Sequence, residues 1–371
     1  VFLLGLGEEM WKKFLPKYLE ALGAGAFAVG LFGTAKDFLD AVYQYPGGWI
    51  ADHLGRRRAF LIFIALASAG YLIYLFSPSW PAIFLGLVFA MAWASMASPA
   101  VFAVIGDALP KERRAAGFTL QSLLKRVPMT ISPLAGGMMM ATMGVVSGIR
   151  ASLWITLAFA AISFLIILKI NIPIQIGEAT SIAGVWRSFH AGLKRLLISD
   201  IIIRMCEGLA EVFIVLYVTN ILGVRLSRYG ALVAIQMTTS ILVYIPAARL
   251  ADRIGRKPFV IATFLCFALF PVAVAISSGF AMLVPAFIIG GLREIGEPSR
   301  KAMIVDFAAS HLRARSVGLY YLVRSLSVTP AAAAGGLLWK LAPQTPFLVA
   351  GIVGAIGVIV FAATVEERYA S

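Results

Sequence analysis

Long apolar stretches recur along the chain, each ended by Gly, Pro or a group of charges. They fall near 1–22, 25–50, 59–77, 80–106, 115–143, 149–171, 200–222, 229–250, 258–276, 280–304, 315–340 and 345–365. A bilayer-spanning helix takes about 20 apolar residues, so the pattern predicts twelve membrane-crossing helices, called segments 1 to 12 below. The expected fold class is an all-α polytopic membrane protein. The longest interval between segments, 172–199, predicts a six-helix N-terminal bundle over 1–171 and a six-helix C-terminal bundle over 200–371. Within that interval Val185, Trp186, Phe189, Leu193, Leu196 and Leu197 recur at helical spacing, with Arg187, Lys194 and Arg195 among them. This predicts a cytoplasmic linker with an amphipathic helix along the membrane surface, not a thirteenth span.

The two halves match each other. A shift of 200 superposes Leu22 on Leu222, Gly23 on Gly223, Gly30 on Gly230, Pro46 on Pro246, Asp52 on Asp252 and Gly55 on Gly255. After a one-residue slip Pro99 meets Pro298, Asp107 meets Asp306, and Gly136 and Gly137 meet Gly335 and Gly336. Parallel repeats related by a pseudo-two-fold axis along the membrane normal are a transporter architecture, with the solute site expected near the midplane between them.

Composition agrees. Of 371 residues, 60% are hydrophobic and 13% charged, against roughly 25% charged in soluble domains, which excludes a soluble globular protein. A net charge of +14 in a soluble chain would point to nucleic acid, but in a membrane protein basic residues first report orientation. Loops after the even-numbered segments carry Arg56, Arg57, Arg58, Lys111, Arg113, Arg114, Arg253, Arg256, Lys257, Arg300, Lys301, Arg313 and Arg315, whereas the opposite loops hold only Lys17, Arg150, Arg225, Arg228 and Lys340. Both termini are therefore expected in the cytoplasm, with the protein in the cell (inner) membrane and the lipid bilayer, not nucleic acid, as its surroundings. Cys206 and Cys266 lie in apolar runs and His53, His190 and His311 beside basic loops, so neither a metal site nor a cofactor is expected. No nucleotide-binding loop occurs, and no residues meet acyl-transfer or phosphoryl-transfer spacing. The chain begins at Val1, without Met and inside an apolar run. Residues are expected to precede it, and no cleavable signal peptide is apparent.

The loop after segment 2 reads Gly48-Trp49-Ile50-Ala51-Asp52-His53-Leu54-Gly55-Arg56-Arg57-Arg58, and the loop after segment 8 reads Ala248-Arg249-Leu250-Ala251-Asp252-Arg253-Ile254-Gly255-Arg256-Lys257. Gly permits a sharp turn there, and an Asp and Arg pair is suited to latch one bundle to another in one conformation and release it in the next. The pattern resembles the signature of the major facilitator superfamily, in both halves and at the expected loops. Residue by residue, the resemblance makes Gly48, Asp52, Gly55, Arg56 and Arg57, with Asp252, Gly255, Arg256 and Lys257, the candidate conformational latch. Ala248 stands where the second copy's leading Gly would be. In segment 5, Ser132-Pro133-Leu134-Ala135-Gly136-Gly137 is similar to the Gly-Pro-x-x-Gly-Gly motif of the drug and proton antiporter branch, with Ser132 in place of Gly. Ile83 to Met91 of segment 4 lack the Arg expected in that branch.

Charge inside the segments is the most informative signal, since each ionised group at the bilayer centre costs ~2.5–3.5 kcal/mol on insertion scales. The segments contain Glu8, Glu9, Asp37, Asp40, Glu207, Glu211, Glu294 and Glu297, and the bases Lys12, Lys13, Lys36, Lys125, Arg126, Arg204, Arg293 and Arg324. Local pairing is expected for Glu8 with Lys12, Glu9 with Lys13, Lys36 with Asp40, Arg293 with Glu297 and Arg204 with Glu207. Asp37, Glu211, Glu294, Lys125, Arg126 and Arg324 need partners on other segments or on a ligand. The superfamily resemblance implies that segments 1, 4, 7 and 10 line the cavity. The candidate solute and proton residues are therefore Glu8, Glu9, Lys12, Lys36, Asp37, Lys125, Arg126, Arg204, Glu207, Glu211, Arg293, Glu294 and Arg324. The expected function is secondary active transport of a small organic solute by alternating access, proton-coupled and exporting, by a monomer. Uptake of an organic anion with protons is the alternative, and a non-transporting receptor on the same fold is the alternative of another class.

Overall fold

The computed structural model describes residues 2–98, 101, 114–170, 186–187, 189–307 and 313–366. Each of the twelve predicted segments is helical over most of its described residues. Among the described residues, five helices are long and apolar enough to cross a membrane unbroken: Arg56–Phe76, Val145–Lys169, Leu226–Ala251, Lys257–Ile276 and Thr345–Thr364. Segment 12 shows why such a helix suits lipid. Its buried face is Ala350, Gly351, Gly354 and Gly357, while Ile352, Ile356 and Ile359 stand exposed. Between the buried Phe347 and Phe361, small residues face the protein and large apolar ones face outward, which suits lipid.

Segments 1 and 7 are interrupted. Segment 1 runs as Phe2–Trp11, a 3-10 turn at Lys12–Phe14, and Leu15–Ala21. Pro16 lacks the amide that would bond back into that turn. Segment 7 breaks at the matching place, Glu211–Phe213, where no proline intervenes and nothing in its neighbours explains the turn. These turns are offset by 199. So are Tyr18 and Tyr217, whose hydroxyls donate to the carbonyls of Tyr74 and Ala275 at 2.9 and 3.0 Å. Beyond them the match becomes 200. A π-helical turn at Tyr217–Ile221 accounts for the change, because an i→i+5 turn accommodates one extra residue. Segment 4 contains the converse: its π-helical turn at Ala92–Met96 falls where the offset returns to 199. The one-residue slip in the repeat is thus a pair of π turns. Segment 10 breaks outright at the corresponding place in the repeat, between Phe280–Leu292 and Glu297–Asp306.

Contacts divide the chain into two compact units: unit 1 is Val1–Gly25, Ala35–Ala179 and Arg225–Ala234, and unit 2 is Ala26–Thr34, Thr180–Val224 and Ile235–Ser371. Segment 1 packs against segment 5 in unit 1, and segment 7 against segment 11 in unit 2, through matching glycines. A Cβ on Gly136 would fall on the Met10 carbonyl oxygen, and one on Gly335 on the Leu209 carbonyl oxygen. Both pairs are 199 apart. The backbones touch because no side chain separates them.

The linker differs from expectation. Segment 7 begins at Ala191 instead of 200, where the His190 ring nitrogen accepts from the Gly192 amide at 3.1 Å and caps the first turn. Leu193, Leu196 and Leu197 are buried in a core with Val260, Phe264, Met303, Phe307 and Phe361. Their apolar face meets protein, so they extend segment 7 and do not form a separate helix along the membrane. Val185 lies outside the described residues, and Trp186 is exposed.

Gly136→Leu and Gly335→Leu are each expected to lower the melting temperature in detergent, since overpacking costs about 1–3 kcal/mol. Gly318→Leu, where a Cβ meets nothing within 4 Å, is expected to leave it unchanged.

Candidate functional site

Each unit holds a cluster of charged side chains around its interrupted helices. In unit 1, Glu8 and Glu9 are buried on segment 1. The Tyr71 hydroxyl donates to Glu8, and the Lys12 ammonium sits between the carboxylates, 3.6 Å from Glu8 and 3.8 Å from Glu9. The expected Glu8 and Lys12 pair is present, and Glu9 also faces Lys12. A cavity of about 130 Å³ opens beside them, lined by Gly5, Glu8, Glu9, Lys12, Trp93 and Lys125, among others. The π turn of segment 4 points Trp93 into its wall and brings Ser95 to donate to Asp40 at 2.6 Å. Lys36 pairs with Asp37 at 2.9 Å and not, as expected, with Asp40, which the hydroxyl of Ser95 occupies. Trp11 is a packing residue. Its indole donates to Thr156 at 3.0 Å and its ring meets Tyr71 and Tyr74 edge-on.

Unit 2 holds a denser network. Arg204 donates to Glu207 at 2.8 Å and to Glu297 at 3.4 Å, and its Nε lies 3.9 Å from Asp200. Arg293 reaches Glu207 at 3.2 Å and Glu211 at 4.0 Å, with its guanidinium over the rings of Phe267 and Phe270. Arg300 grips Glu297 through two nitrogens at 3.0 and 2.6 Å and also bonds Asp200. Asp200 further accepts from Tyr320 at 2.9 Å and from Arg324 at 3.4 Å. Asp200, Glu207, Glu211 and Glu297 thus balance Arg204, Arg293, Arg300 and Arg324.

Sequence reasoning missed the centre of this network. Arg300 was expected in a cytoplasmic loop, yet it is 1% exposed, and Asp200 is 0% exposed. The spacing of Glu297, Arg300 and Lys301 at i, i+3 and i+4 was the available signal. The expected Arg293 and Glu297 pair does not form, because segment 10 breaks between them and sends Arg293 to segment 7. Arg324 does find its partner on another segment, as expected. Glu294 and Arg126 are half-buried, Glu294 in the turn at the break of segment 10 and Arg126 within segment 5.

The signature loops turn on glycines in the left-handed region, Gly55 at φ 81° and Gly255 at φ 98°, where a side chain would be strained. Arg56 is buried. Arg57 donates to the Leu168 carbonyl at the end of segment 6, and its counterpart Lys257 to the Ala362 carbonyl near the end of segment 12, at 2.9 Å. Cations there satisfy carbonyls that a helix end leaves over. Arg256 pairs with Asp306 within unit 2. The side chains of Asp52 and Asp252 and the surroundings of Gly48 lie outside the described residues, as does Asp107.

A family model described as Major Facilitator Superfamily matches residues 1–206 and 196–371. The chain belongs to the Major Facilitator Superfamily. An uncharacterized MFS-type transporter of Methanocaldococcus jannaschii is 23% identical over 96% of this chain and 90% of its own. The MFS-type transporter YhjO of Bacillus subtilis is 24% identical over 91% of this chain and 84% of its own. Quinolone resistance protein NorA of Staphylococcus aureus is 27% identical over 38% of this chain and 36% of its own. Among solved structures, a variant of the nucleoside transporter NupG superposes with a TM-score of 0.83 at 14% identity, over 98% of both chains. A POT family transporter in complex with 5-aminolevulinic acid gives 0.79 at 12%, over 97% of this chain and 93% of that one. Identities this low show the fold alone. This member of the superfamily is a multi-pass membrane transporter of the MFS type, and its family consists of transporters, not enzymes.

In this transporter Asp200 holds three arginines at once. Asp200→Asn is expected to destabilise the purified protein by about 3–5 kcal/mol, the usual cost of breaking a buried ion pair from one side. Adding Arg300→Met is expected to restore part of that loss in a double-mutant cycle read by thermal or denaturant melting.

Proposed function

We propose that this transporter exports a small organic solute by alternating access, coupled to protons. The supporting observation is that the carboxylates Glu8 and Glu9 in one unit, and Glu207 and Glu211 in the other, sit beside cations at the interrupted stretches of segments 1 and 7. Separating such a carboxylate from its cation leaves a charge that a low-dielectric surrounding penalises by several kcal/mol. Taking up a proton removes that charge, and so does a cationic group on a solute. Arg204, within reach of Glu207, Glu297 and Asp200, is placed to trade one partner for another.

In this reading Glu8, Glu9, Lys12, Lys36, Asp37, Lys125 and Arg126 from the first half act with Arg204, Glu207, Glu211, Arg293, Glu294 and Arg324 from the second to carry solute and protons. The N-terminal half, 1–171, and the C-terminal half, with segment 7 starting at Ala191, are the moving bodies, and the signature loops lock them on the cytoplasmic side. The basic loops favour a place in the cell (inner) membrane with both termini cytoplasmic, and the transporter works as a monomer in this reading. The partial likeness to NorA and the Ser132 to Gly137 stretch of segment 5 favour export.

The test uses proteoliposomes with a pH-sensitive dye inside and a panel of cationic, anionic and zwitterionic solutes. At least one solute is expected to drive proton movement of opposite sense to its own. Glu211→Gln is expected to lower that flux about tenfold or more while the melting temperature stays put, because the side chain is one-third exposed and its partner Arg293 keeps Glu207. Solute flux that moves no protons would overturn the coupling, and protons moving with the solute would turn the reading to uptake.

A further inference from the structure

The repeat sets the two charged clusters against each other inside one chain. At the offset of 199, Glu8 corresponds to Glu207 and Lys125 to Arg324, so each unit keeps a carboxylate on its first segment and a base on its fifth. Between these fixed points the units differ. Unit 2 fills the space with Arg204, Glu297 and Arg300. The corresponding residues of unit 1 are Gly5, Ser98 and Val101, and all three line the cavity of about 130 Å³. Side chain in one unit is open space in the other.

The partners of the shared carboxylate agree with this. Glu207 accepts hydrogen bonds from Arg204 and Arg293 at 2.8 and 3.2 Å. Glu8 has the Tyr71 hydroxyl instead, and its cation Lys12 stands off at 3.6 Å, beyond the 2.7–2.9 Å typical of charge-assisted bonds. The groups that unit 2 supplies and unit 1 lacks are three guanidiniums, those of Arg204, Arg293 and Arg300, and the carboxylate of Glu297, hence groups of both signs, and Ala94, the counterpart of Arg293, also lines the cavity. The fixed charges around the cavity already balance, Glu8 and Glu9 against Lys12 and Lys125. A ligand with one net charge would leave an excess charge in a poorly solvated site, whereas a ligand carrying both signs would not. The volume limits the size: drug-sized ligands occupy pockets of about 300–1,000 Å³, and an engineered cavity of about 150 Å³ holds benzene. Trp93 supplies an apolar wall for a short stem.

We propose that the unit 1 cavity binds a small zwitterionic solute of amino-acid size. Its cationic nitrogen sits on Glu8 and Glu9, where the repeat places the Arg204 guanidinium, and its carboxylate sits on Lys12 and Lys125. This rests on the transport reading above and names the substrate class.

Binding is measured apart from transport, by equilibrium dialysis of the purified full chain with radiolabelled alanine, leucine and glutamine. Isopentylamine and 4-methylpentanoate, which keep the leucine side chain and one charge each, are run beside them. At least one amino acid is expected to bind, and if leucine does, about tenfold or more tightly than either analogue. Glu8→Gln and Lys125→Gln are each expected to weaken amino-acid binding about tenfold or more. Lys125 is exposed on the cavity wall, so its variant reads out binding even if loss of the Tyr71 bond unfolds the Glu8 variant. Failure of all three amino acids to bind, equal binding of the amine or the acid, or no effect of Lys125→Gln overturns the proposal. Flux of other solutes in proteoliposomes without amino-acid binding sinks the zwitterion site and leaves transport standing. Tight amino-acid binding with no flux of any solute does the reverse.

Discussion

Everything polar in this protein answers to one constraint: a charge surrounded by apolar protein and lipid must be neutralised by a neighbour. Asp200 shows how far the constraint reaches. One carboxylate with no exposure draws Arg300, Arg324, Arg204 and the Tyr320 hydroxyl, and thereby ties segments 7, 10 and 11 together. Arg300 then needs a second carboxylate, which Glu297 supplies, and Glu297 brings Arg204 back to segment 7. Each added charge of one sign obliges another of the opposite sign. The network grows until it reaches side chains exposed enough to lean on water, such as Glu207 and Glu211.

The same constraint acts on the backbone. A broken helix frees amide and carbonyl groups that lipid cannot satisfy, so breaks at membrane depth are tolerated only where protein or a polar cavity covers them. The breaks at Lys12–Phe14, Ala92–Met96, Glu211–Phe213 and 293–296 all fall beside the charged clusters. Segments without such clusters, 3, 6, 9 and 12, run unbroken. At these four places irregular backbone and buried charge support each other, while segments 2 and 5 carry Lys36, Asp37, Asp40 and Lys125 on unbroken helices. The charges give the freed groups a polar surrounding, and the turns aim side chains, Trp93 and Arg293 among them, where a regular helix would not.

Much of the fold was legible from the chain because a lipid-facing helix leaves a run that no soluble helix matches, and because the duplication repeats those runs. Pairings close in sequence were also legible, as with Arg204 and Glu207. Those that failed did so for identifiable reasons. Arg293 was mispaired because its spacing from Glu297 was read on a continuous helix, although Gly296 and Pro298, which lacks the amide that would bond back to Glu294, mark the break. Arg300 was misread because a base just past an apolar run looks like a loop residue, and only the burial of Asp200 reveals otherwise. The start of segment 7 was misjudged because Leu193, Leu196 and Leu197 have the spacing of a surface helix whether their apolar face meets lipid or the side of Phe264 and Phe307.

Duplication allows the two copies to part company at a cost that can be compared position by position. Replacing Asp200, Arg204, Arg293, Glu297 and Arg300 by Val1, Gly5, Ala94, Ser98 and Val101 removes three positive charges and two negative, and unit 1 carries Lys12 where unit 2 has Glu211 and Glu9 where unit 2 has Gly208. The changes compensate in charge but not in volume. Three guanidiniums held on carboxylates are exchanged for one flexible ammonium, 3.6 and 3.8 Å from its partners, and open space. A network closed on itself by short bonds resists rearrangement, because every move leaves a buried charge unpaired. A looser one, with balanced charge and room beside it, accepts a guest that completes its bonds. The buried part of unit 2, Asp200, Glu297 and Arg300, is thus built to hold its charges together, its half-exposed edge at Glu207 and Glu211 to exchange them, and unit 1 to have them filled from outside, with the two devices on matching turns of segments 1 and 7.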